Sequence, residues 1–299
     1  MILILSRNRE TTTDEVIKWL SAMKKKFIRI HEDELFEIKI KDKRICIESY
    51  RNSFFIDDIS SIWYRRGGLK FKRLHYRNSS IDLYMHEHQN WLEDYVIKTL
   101  ESKKHINTQS NRNINKLLVL EKAKEQGLSV PIYFLAENTD DVVIGKTITK
   151  SITGTAGVES FESSQLLMYT AAIKKKEDSQ FFISFFQEKI EKDYEIRSFY
   201  LNGKIWSIAI ISQNDEQTKL DFRKYNNKRP NRNVRYNLPK DIDEKIHLLM
   251  QSLNLNCGSI DFIKKGNEYY FLEINPIGQF LGISLVCNYS LEKEIADYL

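Results

Sequence analysis

The sequence predicts a mixed α/β and α+β fold in three successive parts, and three observations predict it. A β–α–β pattern opens the chain between Ile2 and Ile30. Two hairpin signals, Asn202-Gly203 and Gly266-Asn267, mark an antiparallel sheet in the last third. Helical patterns separate the strand groups with no low-complexity linker, so boundaries follow the order of elements rather than composition.

The elements follow in order. Ile2 to Leu5 reads as a short buried strand. Thr13 or Asp14 is placed to cap a helix with Val16, Ile17, Leu20 and Met23 on one face. Phe27 to Ile30 returns as a strand. Phe36 to Ile40 and Ile45 to Ile47 read as a hairpin with charges in its turn. Ile62 to Tyr64 is a strand that ends at Arg65-Arg66-Gly67-Gly68. A helix from about Ser80 to Leu100 carries Leu83, Tyr84, Trp91, Tyr95 and Val96 in its apolar stripe. These elements make an N-terminal α/β domain, 1–105.

Residues 106–187 read as a small α+β unit. Asn113 to Gln126 is a helix ended by Gly127 in the left-handed position. Strands are expected at Ile132 to Leu135, Val142 to Ile148 and Phe181 to Phe186, with a small-residue loop at Ser151 to Gly157. The last part, 188–299, is mostly antiparallel. Glu195 to Leu201 pairs with Lys204 to Ile211, and Ile260 to Ile263 pairs with Tyr269 to Ile274. Asp241 to Leu253 is a helix, and a final helical pattern runs to Leu299.

Composition limits the partners. The 299 residues are 41% hydrophobic and 29% charged, which suits a globular chain and excludes a disordered or fibrous one. No stretch approaches the ~20 apolar residues of a membrane span, so no membrane partner is expected. The apolar start Met1 to Leu5 is too short for a signal-peptide core. Cys46, Cys257 and Cys287 are odd in number and far apart, which fits neither a disulfide framework nor a zinc site and makes the cytoplasm the default. A net charge of +5 permits an acidic partner without demanding nucleic acid.

Chemistry concentrates in a few segments. Folding the hairpin about Gly266-Asn267 brings Asp261 opposite Glu273, within one residue of register, and Glu273 shares a strand face with Asn275. Two carboxylates and an amide are hard oxygen donors suited to Mg²⁺. The plainer reading is a hairpin with polar residues on its wet face, which accounts poorly for Glu273-x-Asn275-Pro at the end of so apolar a strand. Glu188, Lys189 and Ile190 form a polar hinge after an apolar strand, placed to offer backbone groups to an adenine edge. Glu195 follows as a candidate acceptor for ribose hydroxyls. An ordinary strand–loop–strand explains the same residues.

Lys116 stands early in its helix. Lys146 lies inside an apolar strand, where a charge needs a partner such as a phosphate, unless it guards a sheet edge. The loop Ser151 to Gly157 either cradles phosphates or is a plain turn. Residues 222–236 carry six basic residues and no acid, either as a solvated loop or as a holder of an acidic substrate.

The order of these pieces is more specific than any one of them: Lys116, Lys146, the small-residue loop, the Glu188 hinge, Glu195-x-Arg197, a basic loop with Asp221-x-Arg223, Asp261, then Glu273-x-Asn275-Pro. It resembles the ATP-grasp ligase superfamily. Met1-Ile-Leu-Ile-Leu-Ser, Thr13 to Leu20, Phe27 to Ile30 and Ile62-Trp-Tyr-Arg-Arg-Gly-Gly68 narrow the resemblance. They look like the peptide maturases of graspetide (microviridin-like, ω-ester peptide) pathways, especially the grasp-with-spasm type, over essentially the whole chain.

The resemblance implies an ATP-grasp fold of three subdomains, with ATP held between two α+β units. Lys116 and Lys146 would contact phosphates, Glu188 to Ile190 would hold adenine, and Glu195 would bind ribose. Asp261, Glu273 and Asn275 would ligate Mg²⁺. Arg197 and Arg223 would steady the transferring phosphoryl group and an acyl phosphate. Ser259 stands where many ATP-grasp enzymes have an arginine, which shifts more weight to Arg197 and Arg223. The implied partner is a ribosomally made precursor peptide with a leader and an acidic core, and a homodimer is expected. An amino-acid ligase of the glutathione-synthetase or ribosomal-protein-modifying type, and a non-catalytic ATP-binding module, are the competing readings.

Overall fold

In a computed structural model, the structure describes residues 1–109, 111, 114–152, 157–159, 165–167, 170–176, 180–213, 215, 218, 220–221, 226, 228 and 230–299. The chain divides into two compact units, one built from 1–112 and 290–299 and the other from 113–289.

The first unit opens with strand β1 (Ile2–Ser6), helix α1 (Thr11–Ala22) and strand β2 (Phe27–His31). A three-stranded antiparallel sheet follows, made of β3 (Glu37–Lys41), β4 (Arg44–Glu48) and β5 (Ser53–Phe55). The chain returns through β6 (Ser61–Tyr64), a helix α2 (Ser79–Glu101) and β7 (Lys104–Ile106). A parallel sheet runs β2-β1-β6-β7, as the β–α–β opening predicts. All five residues of β1 are buried, which is the mark of a strand covered on both faces.

Two expectations in this unit are corrected. Neither Thr13 nor Asp14 caps α1. The helix starts at Thr11 with Glu10 as N-cap residue, because Asp14 is held by the Arg29 guanidinium at 2.5 Å and Thr13 is buried. The apolar stripe of α2 meets the core only at Val96. Leu83, Tyr84, Trp91 and Tyr95 are exposed, Trp91 at 75%, and Val96 and Leu100 are the residues buried. The inward face instead carries polar contacts: Gln89 donates to the Lys72 carbonyl, and Arg73 reaches Asn90 and Glu93.

The second unit begins with α3 (Lys116–Glu125), capped by the Asn115 side chain, which accepts from the Leu117 and Leu118 amides. Gly127 ends it at φ +75, the left-handed value expected there. Next come β8 (Tyr133–Ala136), β9 (Thr147–Thr149), β10 (Gly157–Glu159), β11 (Gln165–Leu167), β12 (Ala171–Ala172) and β13 (Ser184–Glu188). They form a four-stranded antiparallel sheet, β12-β9-β13-β8, and a small pair, β10-β11. The strand expected over Val142 to Ile148 is much shorter. Gly145 at φ +76 puts 144–146 in a turn, and Val143 and Ile144 are exposed. The apolar run was a poor guide because a turn interrupts it. Likewise Phe182 is 89% exposed, and β13 starts at Ser184.

The larger sheet is built from β14 (Tyr194–Leu201), β15 (Lys204–Ile211), β16 (Arg232–Tyr236), β17 (Cys257–Lys265) and β18 (Glu268–Asn275), with α4 (Lys240–Ser252) inserted before β17. Its order is β16-β15-β14-β17-β18, antiparallel throughout. Asn202 and Gly203, both at positive φ, make the tight turn between β14 and β15. One sheet face packs Ile196, Ile260 and Ile274 against Ile246 and Leu249 of α4 and Leu120 of α3. The opposite face carries Arg197, Asp261 and Glu273, beside Phe199, which packs on Trp206 and Phe280. The final helical pattern is two helices, α5 (Leu281–Cys287) and α6 (Leu291–Tyr298), broken where Asn288 and Ser290 take positive φ.

The last helix, α6, belongs to the first unit. It packs on α1, and Lys25 donates to the Ala296 and Asp297 carbonyls at its end. Cys46, Cys257 and Cys287 are buried free thiols. Among the described residues, no helix is long and apolar enough to cross a membrane.

Candidate active site

The larger sheet sets the site through its register. Arg197 of β14 lies directly across from Asp261 of β17, and Asp261 directly across from Glu273 of β18. Directly opposed residues share a face, so the three side chains form a row across adjacent strands. Glu195 precedes Arg197 by two residues and Asn275 follows Glu273 by two, which puts them on the same face. A β-bulge between Asp261 and Phe262 shifts the register set at the hairpin turn by one residue, and that shift puts Glu273, rather than Leu272, opposite Asp261. Bulges re-aim a strand locally, and here one sits beside the paired carboxylates.

The row is neutralised from both sides. The Arg197 guanidinium donates to both Asp261 carboxylate oxygens, at 3.3 and 3.4 Å, and to Gln279 Oε1 at 2.8 Å. Lys116, the first residue of α3, donates to Glu273 Oε2 at 3.1 Å. All four side chains of these two ion pairs are about one-quarter exposed or less. Such pairs are screened less than surface ones. Lys116, Arg197, Asp261 and Glu273 are therefore brought together, and of these meetings the sequence predicts that of Asp261 with Glu273.

Asn275 opens a tight turn. Its Oδ1 accepts from the Ile277 amide at 3.1 Å, and its carbonyl accepts from the Gly278 amide. A carbonyl-type oxygen keeps a second lone pair for a cation. Gly278 is required here: at φ +64 a Cβ would lie 2.9 Å from Cys257 Sγ and 3.1 Å from Phe199. Ser259, across from Asn275, is fully buried and donates to the Gln279 carbonyl at 3.0 Å, so it anchors the same turn.

Glu195 is buried, and the burial pushes its carboxyl up to about 7. Lys192 opposes that shift through a direct ion pair, while Asp261 and Asp221 add to it. Lys192 also donates to the Leu220 carbonyl at 3.1 Å.

The smaller sheet carries the remaining candidates. Glu188 ends β13, and Lys189 and Ile190 follow it. The Glu188 amide donates to the Ile132 carbonyl at 2.7 Å and the Lys189 amide to the Lys146 carbonyl at 2.8 Å, which narrows the donors open to a base edge. Ile190 is buried. Lys146 does not lie inside a strand as the sequence predicts. It is exposed, in the turn before β9, and the cost of burying a charge never arises. Arg223 lies outside the described residues, as do most of the small-residue loop and much of the basic loop.

Two residues were passed over in the sequence. Lys150 directly follows β9, is half-buried, and has its Nζ 5.8 Å from the Phe185 ring centroid. Its signal was its place immediately before Ser151. Gln187, one residue before the hinge, is fully buried, with both amide atoms lacking a hydrogen-bond partner among the described residues. An amide inside Phe185-Phe-Gln187 was the signal there. A buried orphan amide costs about 1–3 kcal/mol, so a partner for it is a physical requirement waiting to be met.

No protein-family model matches the chain, and no curated protein sequence matches it significantly. Solved structures do. The chain is similar to the macrocyclase MdnC of Microcystis aeruginosa MRC, solved bound with precursor peptide MdnA, at 25% identity and a TM-score of 0.77, covering 100% of this chain and 99% of that one. A RiPP-associated ATP-grasp ligase of Chryseobacterium gregarium, in complex with ADP and a leader and core peptide, matches at 23% identity and TM-score 0.76, over 99% and 94% of the two chains. The ATP-grasp ligase PsnB, complexed with minimal precursor, Mg and ADP, matches at 14% and 0.65, over 99% and 96%. The fold is the ATP-grasp fold.

Proposed function

We propose that the chain is an ATP-dependent carboxylate ligase that closes macrocycles on a ribosomally made precursor peptide. It activates Asp or Glu side chains as acyl phosphates and joins them to Thr or Ser hydroxyls as ω-esters, or to Lys amines as ω-amides. The observation that carries this reading is the likeness to a macrocyclase over the full length of both chains. A small-acceptor ligase shares the ATP chemistry, but the neighbours reported above act with precursor peptides.

The residues fit ATP and Mg²⁺. The orphaned Gln187 amide, next to the Glu188–Ile190 hinge, offers a donor and an acceptor to a base edge. Asp261, Glu273 and Asn275 supply oxygen donors to Mg²⁺. When bound, Mg·ATP supplies a phosphoryl group whose transfer makes a carboxylate reactive, with the ion offsetting phosphate charge. Lys116 turns from Glu273 to the phosphates. A second lysine comes from the 146–150 segment, and half-burial favours Lys150 over Lys146. Arg197 and Arg223 steady the acyl phosphate, and Glu195 accepts from the ribose. The basic residues 223–235 attract the acidic core of the peptide. Three subdomains, bounded near 105 and 187, a homodimer and a cytoplasmic setting complete the proposal.

The test is intact mass spectrometry of a precursor peptide encoded beside the gene, incubated with protein, ATP and Mg²⁺. Loss of one water mass per linkage is expected, and it should vanish in Asp261→Asn, Glu273→Gln. Mild base then distinguishes labile esters from stable amides. ATP turnover on small acceptors with an unchanged peptide would replace this reading with the small-acceptor ligase.

A further inference from the structure

The first unit holds a second constellation of metal-ligating side chains, on the polar face of α2. Asp82 and His86 stand at i and i+4, one above the other on that helix. His75 reaches in from the segment that leads into it. His75 Nδ1 is 3.9 Å and His86 Nε2 is 3.7 Å from the same Asp82 oxygen. All three ligand atoms lie within 4.8 Å of one another. The two imidazoles meet edge to face, with centroids 5.5 Å apart. Asp82 is held in place, because its Oδ1 accepts from the Tyr76 amide at 2.8 Å. No other cluster of this kind occurs among the described residues.

We propose that His75, Asp82 and His86 form a binding site for a divalent transition-metal ion of the zinc class. Two imidazole nitrogens and one carboxylate suit Zn²⁺, Co²⁺ or Ni²⁺, whereas Mg²⁺ and Ca²⁺ require an oxygen shell. Zinc bonds of about 2.0–2.2 Å place neighbouring tetrahedral ligand atoms roughly 3.3 Å apart. The two edges to Asp82 must therefore close by about half an ångström, and the edge between the imidazole nitrogens, within 4.8 Å, by up to about 1.5 Å. Rotation of His75, whose side chain is 79% exposed, provides that movement. His86 Nε2 also lies 3.3 Å from the Leu74 carbonyl and exchanges that contact for the ion. Water completes the shell. The bound ion would tie the 74–77 segment to the first turns of α2. The site shares no residue with the proposed nucleotide site, so it stands or falls independently of the ligase reading.

The test is isothermal titration of Zn²⁺ into the full chain, in excess Mg²⁺ to occupy oxygen-only sites. Visible absorption of the Co²⁺ form reports the ligand field. About one ion per chain is expected, with affinity weakened about tenfold or more by His75→Ala and by His86→Ala. His75 is exposed, so its variant keeps the fold. Binding should survive in Asp261→Asn, Glu273→Gln. Equal affinity in wild type and both histidine variants, loss confined to the Asp261→Asn, Glu273→Gln variant, or no binding at all would each overturn the site.

Discussion

The two sheets of the second unit place their candidate residues in opposite ways. In the larger sheet, strands of eight and nine residues pair from Arg197 through Asp261 to Glu273, and the register, with the bulge beside Asp261, decides which side chains meet. In the smaller sheet, β9 has three residues and β12 two, so turns and strand ends decide where Lys146, Lys150 and Glu188 point. Long paired strands make a rigid row of charges. Short strands leave the end proposed for base and phosphate defined by backbone contacts and one orphan amide. The half proposed to bind the cation is thus preorganised by pairing, and the half proposed to bind the nucleotide waits for its ligand to complete it.

The sharpest way to break this contrast is to alter the buried acid of the rigid half. The Glu195 carboxyl sits at about 7 against a usual value near 4.5, so the folded state binds its proton more tightly than the unfolded chain does. The stability this contributes is full below about pH 4.5 and is lost as pH rises through about 7. The span is about 3 kcal/mol at most. Denaturant titrations from pH 4 to 8 should show that decline, and Glu195→Gln should flatten it. The slope is the measure, since Lys192 loses its anion in the variant and the overall level falls too. An unchanged slope would place Glu195 in water and remove the rigidity argument.

A smaller effect is expected in the other half. Replacing Gln187 by Leu removes an unsatisfied amide, so the ligand-free chain should gain about 1 kcal/mol in denaturant titration. ATP affinity should fall in the same variant by about tenfold, and opposite signs are the signature of a group that waits for its partner. A variant that loses stability without losing ATP affinity would make Gln187 a core residue. The smallest effect separates two lysines. Lys150→Ala should raise the KM for ATP by about tenfold, and Lys146→Ala by less than about threefold, since an exposed charge contributes little. Reversed values would restore the assignment of Lys146 that the sequence suggested.

The same contrast explains what the sequence could reveal. The meeting of Asp261 with Glu273 was legible only to within one residue, because counting back from the two-residue turn at Gly266-Asn267 pairs Asp261 with Leu272. The bulge after Asp261 was not, since no residue type demands it. Lys146 was misplaced because Val142-Val-Ile144 has the composition of a strand, while Gly145 at positive φ turns the chain and leaves those side chains exposed. The stripe on α2 failed at all but Val96 for a related reason. Spacing identifies one face of a helix, but which face is inward depends on what packs there, and polar Gln89 and Glu93 are the ones engaged. The β–α–β opening, the Asn202-Gly203 hairpin and the Gly127 stop were local events with local signals.

The return of α6 to the first unit has a consequence for how the protein is made. The helix that covers α1 leaves the ribosome only after residues 113–289, roughly ten to thirty-five seconds later at common elongation rates. For that interval the nascent first unit carries an uncovered seam, and the Lys25 ammonium has no helix end to hold. Translation speed through the second unit, and any chaperone that shields α1 meanwhile, therefore set the yield of folded protein.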